Sequence, residues 1–218
     1  MKKFIFILFI CFNIYVSAQI NSDSLKYDFS FQFKDGFYLN FEQLKNNKPI
    51  DFQQILNFME TYIESEYFDT VKILKFYDEF GILKEINKTQ IFGYCIYGKP
   101  YIYYADKFNL IPAIGSISYF VTTVLVTRFY NGGIGFAGGF YDYYPSQYYK
   151  EPELRQFLLD FKTGKIYDYN TKSVENILNY DNELFEKYKK LSKRKKEKQK
   201  FDFIQKFNEK YPLYLFLN

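Results

Sequence analysis

Gln90-Ile-Phe-Gly-Tyr-Cys-Ile-Tyr-Gly-Lys-Pro100, then Tyr101-Ile-Tyr-Tyr-Ala-Asp-Lys-Phe-Asn-Leu110, then Ile111-Pro-Ala-Ile-Gly-Ser-Ile-Ser-Tyr-Phe-Val-Thr-Thr-Val-Leu-Val-Thr-Arg-Phe-Tyr130 form the stretch that decides the fold. Its β-branched and aromatic runs are closed by Tyr97-Gly98-Lys99-Pro100, by Ala105-Asp106-Lys107 and by Gly115, residues that turn the backbone or break a strand. The spacing predicts four short strands in succession, an antiparallel meander. In the last of them Ile117, Tyr119, Val121, Leu125 and Phe129 share one face, and Phe120, Val124, Val126 and Tyr130 the other. Apolar residues on both faces place that strand centrally in the sheet.

Upstream, Val71–Tyr77 and Ile82–Ile86 flank Asp78-Glu-Phe-Gly81 and predict a hairpin that feeds the meander. Before it, Asp51 and Gln54 form a capping pattern, and Phe52, Ile55, Leu56, Met59 and Ile63 recur at helical spacing, which predicts a helix from Phe52 to about Glu66. Asn40, with Gln43 three residues on, caps a shorter helix that Pro49 closes off. Phe29, Phe31 and Phe33 alternate as in an edge strand.

The chain opens with Lys2-Lys3, an apolar run from Phe4 to Val16, and Val16-Ser-Ala18, the pattern of a secretory signal peptide cleaved before Gln19. The run is shorter than the roughly 20 apolar residues a bilayer span takes. The expected organisation is a signal peptide over 1–18 and one α+β domain over 19–218, mainly β over 19–170 with a helical appendage over 171–218. Without the signal, 27 basic residues stand against 25 acidic ones, a net charge of +2, and Cys95 remains as the lone cysteine. An intrachain disulfide is then impossible, and its apolar flanks mark Cys95 as a buried small hydrophobe.

The chain has no His and no Trp. Ser-His-Asp and Cys-His nucleophile systems and His-ligated zinc are therefore excluded, and carboxylate, Lys or Tyr chemistry is what remains. No catalytic residue, metal site or cofactor is assigned. Gly133, Gly135 and Gly138 match the dinucleotide fingerprint in spacing, but Tyr141-Asp-Tyr-Tyr-Pro145 follows where a helix must open, so a glycine-rich hairpin loop is the better reading.

Two stretches carry the candidate binding residues. Tyr141, Asp142, Tyr143 and Tyr144, with Tyr148 and Tyr149 beyond, make the densest aromatic patch outside the meander, and tyrosines beside a carboxylate can stack on and hydrogen-bond sugars. Between Lys187 and Lys200 lie nine basic residues and one acid, Glu197; Lys193, Arg194, Lys195 and Lys196 are their centre, suited to an anionic envelope lipid or glycan. Nucleic acid is not expected, since the run lacks interleaved aromatics and a recognition fold.

Downstream of the glycine loop, Leu154–Phe161 and Ile166–Tyr169 predict a last hairpin around Lys162-Thr-Gly-Lys165. Ser173 and Asp181 offer helix caps, and Phe201, Ile204 and Phe207 give a further apolar stripe. The expected fold is thus α+β: an antiparallel meander sheet, one helix in the N-terminal half and a C-terminal helical pair. Tyr214-Leu-Phe-Leu217 has the look of a terminal barrel strand, but the short strands and intervening helices argue against an outer-membrane barrel.

Asp35-Gly-Phe-Tyr-Leu-Asn-Phe-Glu-Gln43 with Asn46-Asn-Lys-Pro49, Ile91-Phe-Gly-Tyr-Cys95, Ile114-Gly115, Leu159-Asp-Phe-Lys-Thr-Gly164 and Phe207-Asn-Glu-Lys-Tyr-Pro212 resemble the landmarks of an uncharacterised family of secreted proteins common in Bacteroidota. The resemblance covers most of the mature chain and implies compartment and architecture only. Phe92 stands where that pattern leads one to expect a Trp, and Tyr211 where it leads one to expect a His, so any chemistry of those side chains is absent from this chain. The functional expectation is a secreted or periplasmic, non-enzymatic binding or scaffolding protein of the cell envelope, with no transmembrane span once the signal is removed. The alternative is a carboxylate enzyme acting on glycans through Asp142 and a second acid.

Overall fold

A computed structural model describes residues 24–56, 68, 70, 72–137 and 140–216, without the side chains of 135–137, 140–142 and 144. The predicted signal peptide lies outside the described residues. The architecture is α+β and mostly β, and the single meander sheet resolves into two principal sheets.

The first sheet has four strands in the order β2 (Gly36–Tyr38), β5 (Gly93–Ile96), β6 (Lys99–Tyr104) and β7 (Lys107–Leu110). Two-residue turns join β5 to β6 at Tyr97-Gly98 and β6 to β7 at Ala105-Asp106, all four residues at positive φ, the twist that two-residue hairpins prefer. The Asp35 carboxylate accepts from the N–H groups of Tyr97 and Gly98, both at 3.0 Å, and so ties the start of β2 to the first of these turns.

Strand β8 (Ile117–Tyr130) does not continue this meander. It pairs antiparallel with β11 (Gln147–Asp160) over 14 residues of each, and β12 (Lys165–Asp168) adds to the far side of β11 at Phe157–Asp160 only. The strand expected to be central is therefore an edge strand of a second, three-stranded sheet. β11 also begins seven residues earlier than Leu154. It accommodates Pro152 because one side of the strand is free at that level.

Side-chain alternation distributes the core into three clusters. Phe37, Tyr94 and Phe108 on one face of the first sheet pack with Leu74 and Phe76 of the hairpin formed by β3 (Ile73–Tyr77) and β4 (Leu83–Asn87), the hairpin expected from the sequence. Tyr38, Cys95 and Ile102 on the other face pack with Phe120, Phe157 and Leu159 of the second sheet. Cys95 is fully buried, and burial pushes its thiol pKa up. The opposite face of the second sheet, through Ile117 and Leu158, carries the helices.

Helix α1 (Phe41–Lys45) is capped by Asn40, whose Oδ1 accepts from Gln43 N at 2.9 Å. The Asp51–Gln54 capping box is present, yet it starts one 3₁₀ turn, Phe52–Gln54, after which Ile55 bridges to Phe76. The predicted longer helix does not begin at Phe52, because Ile55 takes an extended conformation; the rest of its predicted span lies in residues 57–67, outside the described residues. The C-terminal pair is instead three helices: α2 (Thr171–Leu178), α3 (Asn182–Lys189) and α4 (Lys193–Lys210). Asn170 rather than Ser173 caps α2, and Asp181 caps α3 as expected. β13 (Tyr214–Phe216) pairs with β1 (Ser24–Lys26) instead of lengthening either principal sheet.

Candidate functional site

Beyond Val124 the second sheet loses its cover on both faces and continues as a two-stranded arm. Fourteen residues at about 3.3 Å each make β8 about 45 Å long. A further hairpin, β9 (Gly133–Ala137) with β10 (Phe140–Tyr144), extends the arm past Tyr130 and Gln147. Gly133–Ala137 is thus strand where the sequence predicts a glycine-rich hairpin loop; residues 138 and 139 lie outside the described residues.

The register fixes what each face of the arm presents. On the face turned toward the first sheet, Arg128 is hydrogen-bonded to the Glu151 carboxylate across the pair and reaches Glu153 at 3.1 Å, which in turn holds Arg155 at 3.1 Å. These opposite charges satisfy one another.

The face on the helix side differs. Opposite pairs there are Thr123 and Leu154, Leu125 and Pro152, Thr127 and Lys150, and Phe129 and Tyr148. Leu125, Phe129, Tyr148 and Leu154 are 69, 55, 76 and 72 % exposed. Phe129 and Tyr148 lie 4.9 Å apart, ring to ring, across the strands. Among the described side chains the face has one cation, Lys150, and no carboxylate. Single exposed apolar residues are ordinary on protein surfaces, whereas a contiguous apolar stripe marks an interaction surface.

The basic run arrives on this same side. The Asn208 side chain of α4 accepts from Ile117 N and donates to Ile117 O, both at 2.8 Å. About one turn further toward the start of the helix, Ile204 packs in the cluster that holds Leu158 and Tyr119. At Lys200 the Nζ donates to Tyr169 O at 3.1 Å, and Tyr169 N donates to Gln156 O, opposite Val121. α4 therefore runs antiparallel to β8 on the helix-side face. Its first turn points along the arm, toward the level where cover ends.

Of the predicted basic centre, Lys193, Arg194 and Lys195 are exposed, but Lys196 is not a solvated residue. Its Nζ meets the Glu175 carboxylate of α2 at 2.5 Å and lies 5.7 Å from the Tyr188 ring centre. Lys200, at the end of the run, is buried over the Tyr169 ring. Both lysines hold the helices together. No side-chain cap bond forms at Ser192, and the first turn of α4 contains no acid. Three cations that pair with no acid among the described residues, at the positive end of a helix, oppose its dipole, so helix stability does not account for their presence.

Of the tyrosine patch, Tyr143 is 75 % exposed on β10, opposite Ile134. The side chains of Tyr141, Asp142 and Tyr144 lie outside the described residues. The sequence did not point to Leu125, Pro152, Phe129 or Leu154; the signal for three of them was present as apolar residues in strands, but nothing local tells covered strand from bare strand. Among the described residues no group of His, Cys, Asp and Glu is placed to hold a metal, and no helix is long and apolar enough to cross a membrane. No known family model, curated protein or solved structure matches the chain.

Proposed function

We propose that the protein is a non-enzymatic binding protein that acts outside the cytoplasm, on the cell envelope, by laying the helix-side face of its arm and the basic start of α4 on an anionic lipid surface. One observation carries this reading: the exposed apolar stripe of Leu125, Phe129, Tyr148 and Leu154 shares its side with Lys150, Lys193, Arg194 and Lys195 and, among the described side chains, with no arm carboxylate. Amphipathic surfaces of this composition bind through buried apolar area together with attraction to anionic headgroups. The signal-peptide pattern at residues 1–18 and the resemblance to secreted Bacteroidota proteins support the compartment.

The alternative of a glycan-active carboxylate enzyme requires a carboxyl held protonated near neutral pH. Among the described residues the carboxyls whose pKa moves go the other way: Asp28 is lowered by Ser30, Asp78 by the Ile82 N–H, Glu153 by Arg155, Asp181 by Lys210 and Glu183 by Lys187; the side chain of Asp142, the acid that this alternative names, lies outside the described residues.

Vesicle flotation tests the proposal. The mature protein is expected to float with phosphatidylglycerol-containing vesicles at low salt, to float poorly with phosphatidylcholine alone, and to release as the Debye length shrinks from about 30 Å at 0.01 M salt to about 8 Å at 0.15 M. Replacing Lys193, Arg194 and Lys195 with Gln removes about 1 kcal/mol per cation, so partitioning falls by about two orders of magnitude. Replacing Leu125, Phe129, Tyr148 and Leu154 with Ser is expected to abolish it. Equal flotation by the Gln variant refutes the proposal.

A further inference from the structure

A cleft of about 200 Å³ opens where the turn after β11 meets α2 and the end of α4, well away from the arm's exposed stripe. Its floor is Ile117, Ile177 and Phe207, all buried, and its walls are the rings of Tyr167, Tyr180 and Tyr211. An apolar void of about 150 Å³ accepts a benzene ring, so this cleft has room for one ring and a short substituent.

The walls are held in place by contacts that do not depend on any ligand. Tyr211 donates its hydroxyl to Asp181 Oδ2 at 2.9 Å, and its ring lies 4.9 Å from that of Phe207. Tyr180 follows α2 directly, its N–H bonded to Ile177 O. The cleft is thus preformed, as small-molecule sites usually are.

Two charged residues line it, and they differ in availability. Asp160 is buried, and its carboxylate serves the turn: Oδ1 accepts from Lys162 N and Oδ2 from Thr163 Oγ1, both at 2.8 Å. The Lys162 ammonium lies 5.1 Å from the centre of the Tyr180 ring and belongs to none of the ion pairs among the described residues. The charge free to meet a ligand is therefore positive. Asn176, on the same rim, adds an amide donor.

We infer that this cleft is a binding site for a small aromatic carboxylate, the ring enclosed by the three tyrosines over Ile177 and Phe207 and the carboxylate taken by Lys162 and Asn176. The site is separate from the lipid-facing surface and does not depend on it.

The test is an NMR titration of the folded protein with 3-phenylpropionate and, in parallel, its neutral counterpart 3-phenylpropan-1-ol. The acid is expected to shift the amides of Lys162, Asn176, Ile177 and Tyr180 in a saturable way, at a concentration of about 1 mM or below. Lys162→Gln is expected to weaken the acid about tenfold and to leave the alcohol unchanged, because only the acid makes the charge-assisted bond. Tyr180→Ala, at a position 66 % exposed and so tolerant of change, is expected to weaken both. The variant with serines at the arm positions 125, 129, 148 and 154 is expected to bind the acid as the parent does, whatever its behaviour toward vesicles. Absence of saturable cleft shifts at about 10 mM acid, or equal affinity for acid and alcohol, overturns the inference.

Discussion

Asn208→Ala removes three hydrogen bonds at one point: Oδ1 accepts from Ser116 Oγ and Ile117 N, and Nδ2 donates to Ile117 O, each at 2.8 Å. The amide thereby acts as a missing strand partner at the start of β8. Its fit is tight, since a Cβ on Gly115 would stand 2.5 Å from Nδ2. Ile117 is 5 % exposed, so its N–H and C=O cannot simply turn to solvent. A typical bond contributes about 1 kcal/mol net, while a buried backbone group left without a partner costs about 1–3 kcal/mol. Water entering from the two cavities that Ile117 lines offsets part of this, which leaves a loss of about 2–4 kcal/mol. Urea unfolding measures it, with the slope expected to stay unchanged. Asn208→Asp keeps Oδ1 but sets a second oxygen against Ile117 O, and is expected to cost at least as much as Ala. A loss below about 1 kcal/mol for Ala, or an Asp variant as stable as the parent, refutes the clamp.

Asp181 is held at a pKa of about 2, below its usual 3.8, first by Lys210, then by the Leu184 N–H and Tyr211. A depressed carboxyl stabilises the fold above its unfolded pKa and loses that contribution as pH falls through the folded one. The urea midpoint of Asp181→Asn should therefore trail the parent's by a constant gap above about pH 4 and close on it toward pH 2; a gap independent of pH counts against the ion pair. The buried Thr122 Oγ1 has no hydrogen-bond partner among the described residues, and Thr122→Val, of equal shape, is expected to raise stability by about 1 kcal/mol. A destabilised Val variant would mean that the hydroxyl does have a partner.

Local chemistry was legible and long-range pairing was not. The Asn40, Asp51 and Asp181 caps, the turns at Tyr97-Gly98 and Ala105-Asp106 and the faces of β8 all follow from neighbours within a few residues. The partner of β8 does not. Its apolar residues on both faces read as a central strand, because each face does meet a core at Ile117 to Phe120, one through the helices and one through the first sheet. Past Val124 the same composition continues without cover, and composition does not change where cover ends. Pro152 and the run of tyrosines at 143, 144, 148 and 149 concealed the strands opposite. The basic run was visible as charge, but its division into structural Lys196 and Lys200 and free Lys193, Arg194 and Lys195 depends on Glu175 and Tyr169, more than 20 residues away in sequence.

The pairing of Ser24 with Phe216 brings the two ends of the described chain side by side, anchored through Leu213 and Leu215 in the cluster that also holds Phe120 and Phe157. The covalent order of the chain is therefore separable from its spatial order. A short linker joining the ends there, with new termini cut between Ala137 and Phe140, would yield a circular permutant with every core strand still beside its neighbour. Its two loose ends would then lie at the far tip of the arm, where a fused reporter would register contact with a surface at the opposite end of the second sheet from the cluster that anchors the pairing of Ser24 with Phe216.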